Sequence, residues 1–75
     1  MYSPSNTPNG KFEVLRNGSR NWRNATVQEV AEALRQYSTN PAQQYDDMIR
    51  YAYTGDPKCT IRLGDDYFRF FPFSR

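Results

Sequence analysis

Few side chains in this 75-residue sequence are suited to covalent chemistry. There is no histidine, the side chain used most often as a general base and as a metal ligand, and Cys59 is the single cysteine. The strand pattern described below places Cys59 on an apolar face, where a thiol is inert and fills space. The sequence therefore predicts a protein that is not an enzyme and that uses no metal or other cofactor.

The tripeptide Gly64-Asp65-Asp66 resembles the turn of template-dependent RNA polymerases, in which a hairpin presents paired aspartates to metal ions. The resemblance covers three residues, and a chain of 75 residues has no room for the fingers, palm and thumb of such an enzyme. Turn chemistry accounts for all three residues, because glycine adopts a positive φ freely and aspartate favours turns. We therefore interpret the tripeptide as a hairpin turn.

The sequence favours recognition chemistry, and the residues suited to it are concentrated near the C-terminal end. Residues 67–73 contain five aromatic side chains. A two-residue turn at Gly64 and Asp65 would pair Ile61 with Phe68 and sort this hairpin into two faces. The apolar face holds Cys59, Ile61, Leu63, Phe68 and Phe70. The opposite face holds Thr60, Arg62, Tyr67, Arg69 and Phe71.

We interpret this opposite face as a binding surface, because arginine and aromatic side chains are enriched at protein interfaces. The alternative is that the N-terminal tail, a helix or a second copy of the chain covers Tyr67 and Phe71. The same residue types can stack bases and hold phosphates, as the sheet of the RNA-recognition-motif family does, although neither the predicted element order nor the segment YFRFF matches that family. The first-choice contact residues are Arg62, Tyr67, Arg69 and Phe71. The second-choice contact residues are Tyr51, Arg20 and Arg23.

A first hairpin is predicted within residues 11–26, around the Asn-Gly sequence at 17–18. A three-residue loop would pair Val14 with Trp22 and gather Phe12, Val14 and Trp22 on one apolar face. A two-residue loop would place Trp22 on the opposite face. We therefore favour the three-residue loop.

The first of two predicted helices spans about residues 27–37. Thr26 and Glu29 have the spacing of a capping box, which marks a helix start. An apolar stripe with helical spacing follows, formed by Val27, Val30, Ala31, Leu34 and Tyr37.

The second predicted helix begins at Asn40 and Pro41, a good N-cap followed by a residue suited to the first helical position. Gly55 ends this helix near Tyr53. Its apolar stripe is formed by Tyr45, Met48, Ile49 and Ala52.

These elements predict a single α+β domain over residues 11–75, in the order ββααββ, preceded by a flexible tail at residues 1–10. The two hairpins form an antiparallel sheet, which could be one four-stranded layer, packed against the helical hairpin. The sequence does not determine the order of the strands in this sheet. The predicted sheet side of the core is Phe12, Val14, Trp22, Ile61, Phe68 and Phe70. The predicted helix side is Val30, Leu34, Tyr45, Met48 and Ile49.

The charge of the chain is small and mixed. Ten basic residues, eight of them arginine, stand against eight acidic residues, so the net charge of +2 does not by itself indicate a nucleic-acid partner. The first ten residues lack the basic and apolar regions of a signal peptide, and no apolar run is long enough to span a membrane. With a single cysteine, these features predict a cytoplasmic protein without a membrane partner.

The sequence thus predicts a small intracellular binding protein that acts as an inhibitor, regulator or adaptor by occupying a protein partner. Small proteins of phages and mobile elements often act in this way. The alternative is a nucleic-acid-binding protein that uses the same arginine and aromatic face. A second copy of the chain is a further candidate partner.

Overall fold

The computed structural model describes residues 9–73, which form one antiparallel sheet and two α-helices in the predicted order ββααββ. The strands are β1 (Gly10–Leu15), β2 (Arg23–Ala25), β3 (Ile61–Leu63) and β4 (Asp66–Pro72). The helices are α1 (Val27–Tyr37) and α2 (Pro41–Thr54), and a 3₁₀ helix (Pro57–Cys59) leads into β3. The spatial strand order is β2-β1-β4-β3, so the two hairpins join along β1 and β4. The α+β class and the single four-stranded layer are confirmed.

The predicted N-terminal tail can be compared with the structure only at its end. Residues 1–8 lie outside the described part of the chain. Strand β1 begins at Gly10, inside the predicted tail, where Gly10 pairs with Pro72 of β4. A Cβ atom at Gly10 would lie 2.5 Å from the backbone oxygen of Phe71 and 2.3 Å from the ring of Phe70, so only glycine allows this close approach.

Both helices begin at the signals that predict them, and α2 also ends at its predicted glycine. The Thr26 hydroxyl accepts a hydrogen bond from the Glu29 amide at 3.0 Å, and the Glu29 carboxylate accepts one from the Thr26 amide at 3.3 Å. Asn40 caps α2 through its side chain, which accepts a bond from the Gln43 amide. Gly55, with φ of 75°, ends α2 one residue beyond the predicted position.

The second hairpin has the predicted register. Ile61 pairs with Phe68 and Arg62 with Tyr67, and Gly64 has a φ of 66° at the first position of the two-residue turn. Strand β3 is shorter than predicted, because the chain before it forms the 3₁₀ helix and the Asp56 carboxylate caps that helix at the Lys58 amide. The placement of Cys59 in a strand was therefore wrong, although Cys59 packs against the edge of the core.

The first hairpin differs from the predicted register by one residue. Phe12 pairs with Ala25 and Val14 with Arg23, where a three-residue loop would have paired Val14 with Trp22. Since side chains alternate along a strand, this shift turns Trp22 away from Phe12 and Val14. The prediction that Trp22 belongs to the core was wrong, and Ala25 occupies the space opposite Phe12.

A longer connection than predicted explains this shift. Residues 16–22 join β1 to β2, and their first four residues form a turn in which the Ser19 amide donates to the Arg16 carbonyl at 2.9 Å. Gly18 supplies the positive φ of 84° that this turn requires. The Ser19 hydroxyl then donates a hydrogen bond to the Asn21 carbonyl and accepts one from the Asn21 amide. These residues make the connection longer than that of a tight hairpin.

The core lies between one face of the sheet, called the inner face here, and the two helices. Tyr37, predicted to lie in the apolar stripe of α1, is exposed and places its ring beside Gly64. Ile49 and Ile61 are only partly buried. The buried apolar residues are Phe12, Val14, Val30, Ala31, Leu34, Tyr45, Met48, Ala52, Leu63, Phe68 and Phe70. Among residues 9–73, no helix is long and apolar enough to cross a membrane.

Candidate functional site

The second face of the sheet, called the outer face here, points away from both helices. The buried residues Phe68 and Phe70 of β4 face the core, so the alternating residues Tyr67, Arg69 and Phe71 face outward. Tyr67 and Phe71 keep 42% and 39% of their surface exposed. Together with their neighbours across the strands, the residues of the outer face are Lys11, Glu13, Leu15, Trp22, Arg62, Tyr67, Arg69 and Phe71.

Arg69 lies at the centre of the outer face, between two aromatic rings. Its guanidinium carbon is 3.9 Å from the centre of the Trp22 ring and 4.6 Å from the centre of the Phe71 ring. Its Nη2 and Nε donate to one Glu13 carboxylate oxygen at 2.9 Å and 3.0 Å. We call Trp22, Arg69, Phe71 and Glu13 the arginine stack. Each ring contact of this type contributes about 0.5–2 kcal/mol, depending on how far water is excluded.

Sheet register and the long first loop bring the arginine stack together. Glu13 and Arg69 are directly opposite each other on β1 and β4, and Phe71 follows Arg69 by two residues on the same face. Trp22 reaches the guanidinium because the 16–22 connection turns it outward. The side chains of Glu13 and Arg69 are only 13% and 28% exposed, so the stack is largely shielded from water before any partner binds.

The rest of the outer face holds aromatic and cationic side chains whose ion pairs are longer than that of Arg69 with Glu13. Tyr67 lies between Leu15 and Arg62 on the neighbouring strands. The Arg62 Nε donates to the Gly64 carbonyl at 3.1 Å, and its Nη2 lies 3.9 Å from a carboxylate oxygen of Asp65. Lys11 lies 3.6 Å from the second oxygen of Glu13. These side chains form a rim around the arginine stack.

Two of the second-choice contact residues, Tyr51 and Arg23, do not join this face. Tyr51 lies on α2, where the cationic groups of Arg50 and Lys58 are each 5.6 Å from its ring centre. Arg23 binds Glu29 at 3.1 Å, and this hydrogen bond holds the pKa of the Glu29 carboxyl below its ordinary value. The structure therefore brings together the four first-choice residues and separates them from Tyr51 and Arg23.

Arg20 lies in the 16–22 connection and is exposed. Within residues 9–73 its guanidinium makes no hydrogen bond or ion pair. It is therefore a cation that can meet a partner.

The sequence prediction missed five residues at this site, of which Lys11 and Leu15 lie beside Glu13 on β1. Glu13 was not proposed, although its position opposite Arg69 could have been found had the pairing of β1 with β4 been known. Trp22 was assigned to the core through the incorrect register. Phe73 continues the outward pattern of β4, since its amide donates to the Asn9 carbonyl at 3.1 Å, and it is 71% exposed. Alternation past Pro72 could have indicated Phe73.

The charge of the outer face is close to balanced. Lys11, Arg62 and Arg69 carry the positive charge, and Glu13 and the neighbouring Asp65 carry the negative charge. Among the described residues, no group of three potential ligands could hold a metal ion. The surface can therefore offer apolar contact, ring faces and a few directed hydrogen bonds.

Similarity to other proteins gives no indication of the function of this face. Comparison of the chain with models of protein families, with curated proteins and with solved structures finds no match.

Proposed function

We propose that the protein acts by binding another protein through its outer face, as a regulator, inhibitor or adaptor. The observation that carries this proposal is the arginine stack, set among the exposed rings of Tyr67, Phe71 and Phe73. Aromatic residues and arginine supply most of the binding energy at protein interfaces when they lie in a shielded centre with a polar rim. The outer face has this arrangement.

Preorganisation supports the same proposal. Binding costs free energy whenever a flexible side chain becomes ordered, at about 0.5–1.5 kcal/mol for each long side chain. Arg69 is already held by two rings and by the Glu13 carboxylate. Its side chain therefore becomes ordered when the chain folds, and binding does not have to order it again. A partner would gain a rigid contact surface.

The charge balance favours a protein over a nucleic acid as the partner. Phosphate binding requires cations that can replace counterions. Arg69 is neutralised by Glu13, and Lys11 lies beside the same carboxylate. Arg62 is the remaining basic residue of the outer face and is only loosely paired, and the exposed Arg20 of the 16–22 connection has no ion pair within residues 9–73. Two such cations are few for a phosphate-tracking groove.

The test is affinity capture of the tagged full chain, with Tyr67→Ala as the interface variant and Tyr53→Ala as the control. Tyr53 is exposed to a similar degree but lies on α2, away from the outer face. We expect one protein partner to be captured by the wild type and by Tyr53→Ala, and to be lost or weakened about tenfold with Tyr67→Ala. Equal capture by all three would contradict the proposal.

Nucleic acid is tested separately with the same chain. We expect no gel shift with single- or double-stranded DNA or RNA at physiological salt. A shift that weakens steeply as salt rises and disappears with Arg62→Ala would establish the alternative function instead.

A further inference from the structure

The charged side chains of the outer face are nearly balanced in number, but they are not equally exposed. The Glu13 carboxylate accepts from Arg69 through one oxygen, and its second oxygen lies 3.6 Å from the Lys11 amine. The Glu13 side chain is 13% exposed, whereas those of Lys11 and Arg62 are 47% and 63% exposed. One shielded carboxylate thus faces two cations, and a partner that approaches the outer face meets mainly positive charge.

Asp65 is an exposed carboxylate beside the outer face, but it holds Arg62 only weakly. It lies in the turn of the second hairpin, and its carboxylate oxygen is 3.9 Å from the Arg62 guanidinium. Exposed ion pairs of this length contribute little, because water solvates both groups. Arg62 can therefore leave Asp65 and pair with a carboxylate of a partner.

Each exposed ring at the centre of the outer face has one of these cations on the adjacent strand. Arg62 of β3 is directly opposite Tyr67, and Lys11 of β1 is directly opposite Phe71. The two cations lie on different sides of β4 and four residues apart along it, so strand geometry separates them by about 16 Å. The arginine stack lies between them.

We propose that the partner of the outer face is an acidic protein surface, in which carboxylates about 16 Å apart flank an apolar centre. The carboxylates pair with Arg62 and Lys11, and the apolar centre packs on the rings of Tyr67 and Phe71. This inference rests on the proposed function, and it specifies the chemistry of the partner. Complementary charges at the rim of an interface speed association and select the partner.

The spacing of the cations suits carboxylates better than phosphates. A nucleic-acid strand carries a phosphate about every 3.4 Å along the axis of a duplex, so several phosphates would lie between Arg62 and Lys11 without a free cation. The carboxylate of Glu13 also lies in this interval. A protein surface can instead place its carboxylates at the two edges and apolar side chains between them.

A random copolymer of glutamate and tyrosine is the probe for the first measurement, because it offers carboxylates and rings without a defined fold. Added to the ¹⁵N-labelled full chain, it should shift the amide signals of Tyr67, Arg69 and Phe71 and the indole signal of Trp22. A copolymer of lysine and tyrosine, with the same rings and the opposite charge, should bind at least about tenfold more weakly. Equal binding of the two copolymers, or binding of neither, would overturn the inference.

Charge reversal on the outer face is the second measurement. Arg62→Glu and Lys11→Glu should each weaken binding of the glutamate-tyrosine copolymer about tenfold. Arg50→Glu is the matched control, because Arg50 lies on α2, has the same 63% exposure as Arg62 and also pairs with an aspartate three residues away. It changes the net charge by the same amount, and we expect it to weaken binding less than about twofold.

Equal weakening by all three variants would mean that the copolymer responds only to net charge, and this would overturn the inference. Lys11 and Arg62 are exposed, so both variants should fold, and the amide spectra of the free variants check this. Tighter binding of single-stranded DNA than of the glutamate-tyrosine copolymer at the same residues would make phosphate the ligand and would also overturn it.

Affinity capture separates this inference from the proposed function. A protein partner that is lost with Tyr67→Ala but captured equally by Arg62→Glu and Lys11→Glu would keep the outer face as the binding site and overturn its preference for an acidic surface. Capture that is insensitive to Tyr67→Ala, together with copolymer binding that depends on Arg62 and Lys11, would overturn the proposed function and keep the acidic preference of this face.

Discussion

At the scale of single residues, neighbouring side chains of β4 point to opposite faces of the sheet. Phe70 is fully buried and packs against Phe12, with ring centres 4.9 Å apart. Phe71, the next residue, faces outward and contacts the Arg69 guanidinium. Residues that stabilise the core therefore alternate along the strand with residues of the proposed binding face, and single substitutions can separate the two roles.

Phe70→Ala tests the inward side. Truncating a buried phenylalanine removes its packing and leaves a cavity, so we expect the free energy of unfolding to fall by about 3–5 kcal/mol. A domain of this size has little stability to lose, and much of the variant should be unfolded. Urea denaturation followed by circular dichroism measures the loss. Phe71→Ala is the control and should cost about 1 kcal/mol or less. Equal losses would mean that the two faces of β4 are assigned wrongly.

Arg69→Ala tests the arginine stack. The fold should persist, because the side chain lies outside the core, but Glu13 loses its strongest partner and two rings lose their cation. We expect a loss of about 1–2 kcal/mol. Trp22 is the only tryptophan, so its fluorescence should shift to longer wavelength as the ring meets water. An unchanged emission spectrum would contradict the contact between Trp22 and Arg69.

At the scale of elements, the two turns show why one hairpin register was predictable and the other was not. In the second hairpin, Gly64 with its positive φ and the alternation of β4 both indicate a two-residue turn. In the first hairpin, Asn17 and Gly18 form a turn, but the chain continues for several residues before β2 begins. Local turn chemistry locates the turn in both cases. It does not determine how many residues follow before pairing starts.

Alanine at the two turn glycines should give unequal losses of stability. Gly64→Ala forces a side chain into a positive φ and places its Cβ 2.7 Å from the Tyr37 ring, whereas Gly18→Ala meets no atom within 4 Å. Backbone strain costs about 1–2 kcal/mol at either position. Thermal unfolding should show a slightly larger loss for Gly64→Ala, because the exposed Tyr37 ring can turn aside at small cost. The double variant Gly64→Ala, Tyr37→Ala should recover the difference, and its failure to do so would exclude the clash as the cause.

An ion pair between β2 and α1 makes stability depend on pH. Because Arg23 lowers the pKa of Glu29 in the folded protein, the pair stabilises the fold above the ordinary glutamate pKa, and this stability is lost as the pH falls through the lowered value. Both side chains are partly exposed, so the effect is small. The difference in stability between wild type and Arg23→Ala should therefore shrink below about pH 4. Arg20→Ala, whose residue has no ion pair within residues 9–73, should show no such trend.

At the scale of the whole molecule, the fold class follows from the sequence but the strand order does not. Capping signals, helical stripes and strand alternation each depend on residues close together in the chain, and they predict the elements well. The pairing of β1 with β4 joins segments that no local pattern relates. The outer face was therefore predicted only in part, as Arg62 of β3 and the β4 residues Tyr67, Arg69 and Phe71, without Glu13 of β1.

The central pairing of β1 with β4 has a consequence for the speed of folding. Glu13 and Arg69 are 56 residues apart in the chain, so the middle of the sheet forms only after a large loop has closed. Contacts between distant residues slow folding, because the loss of chain entropy comes before the gain from contact. Each hairpin can form early, whereas the indole of Trp22 meets its guanidinium only at closure. Its fluorescence can therefore report when β1 and β4 come together.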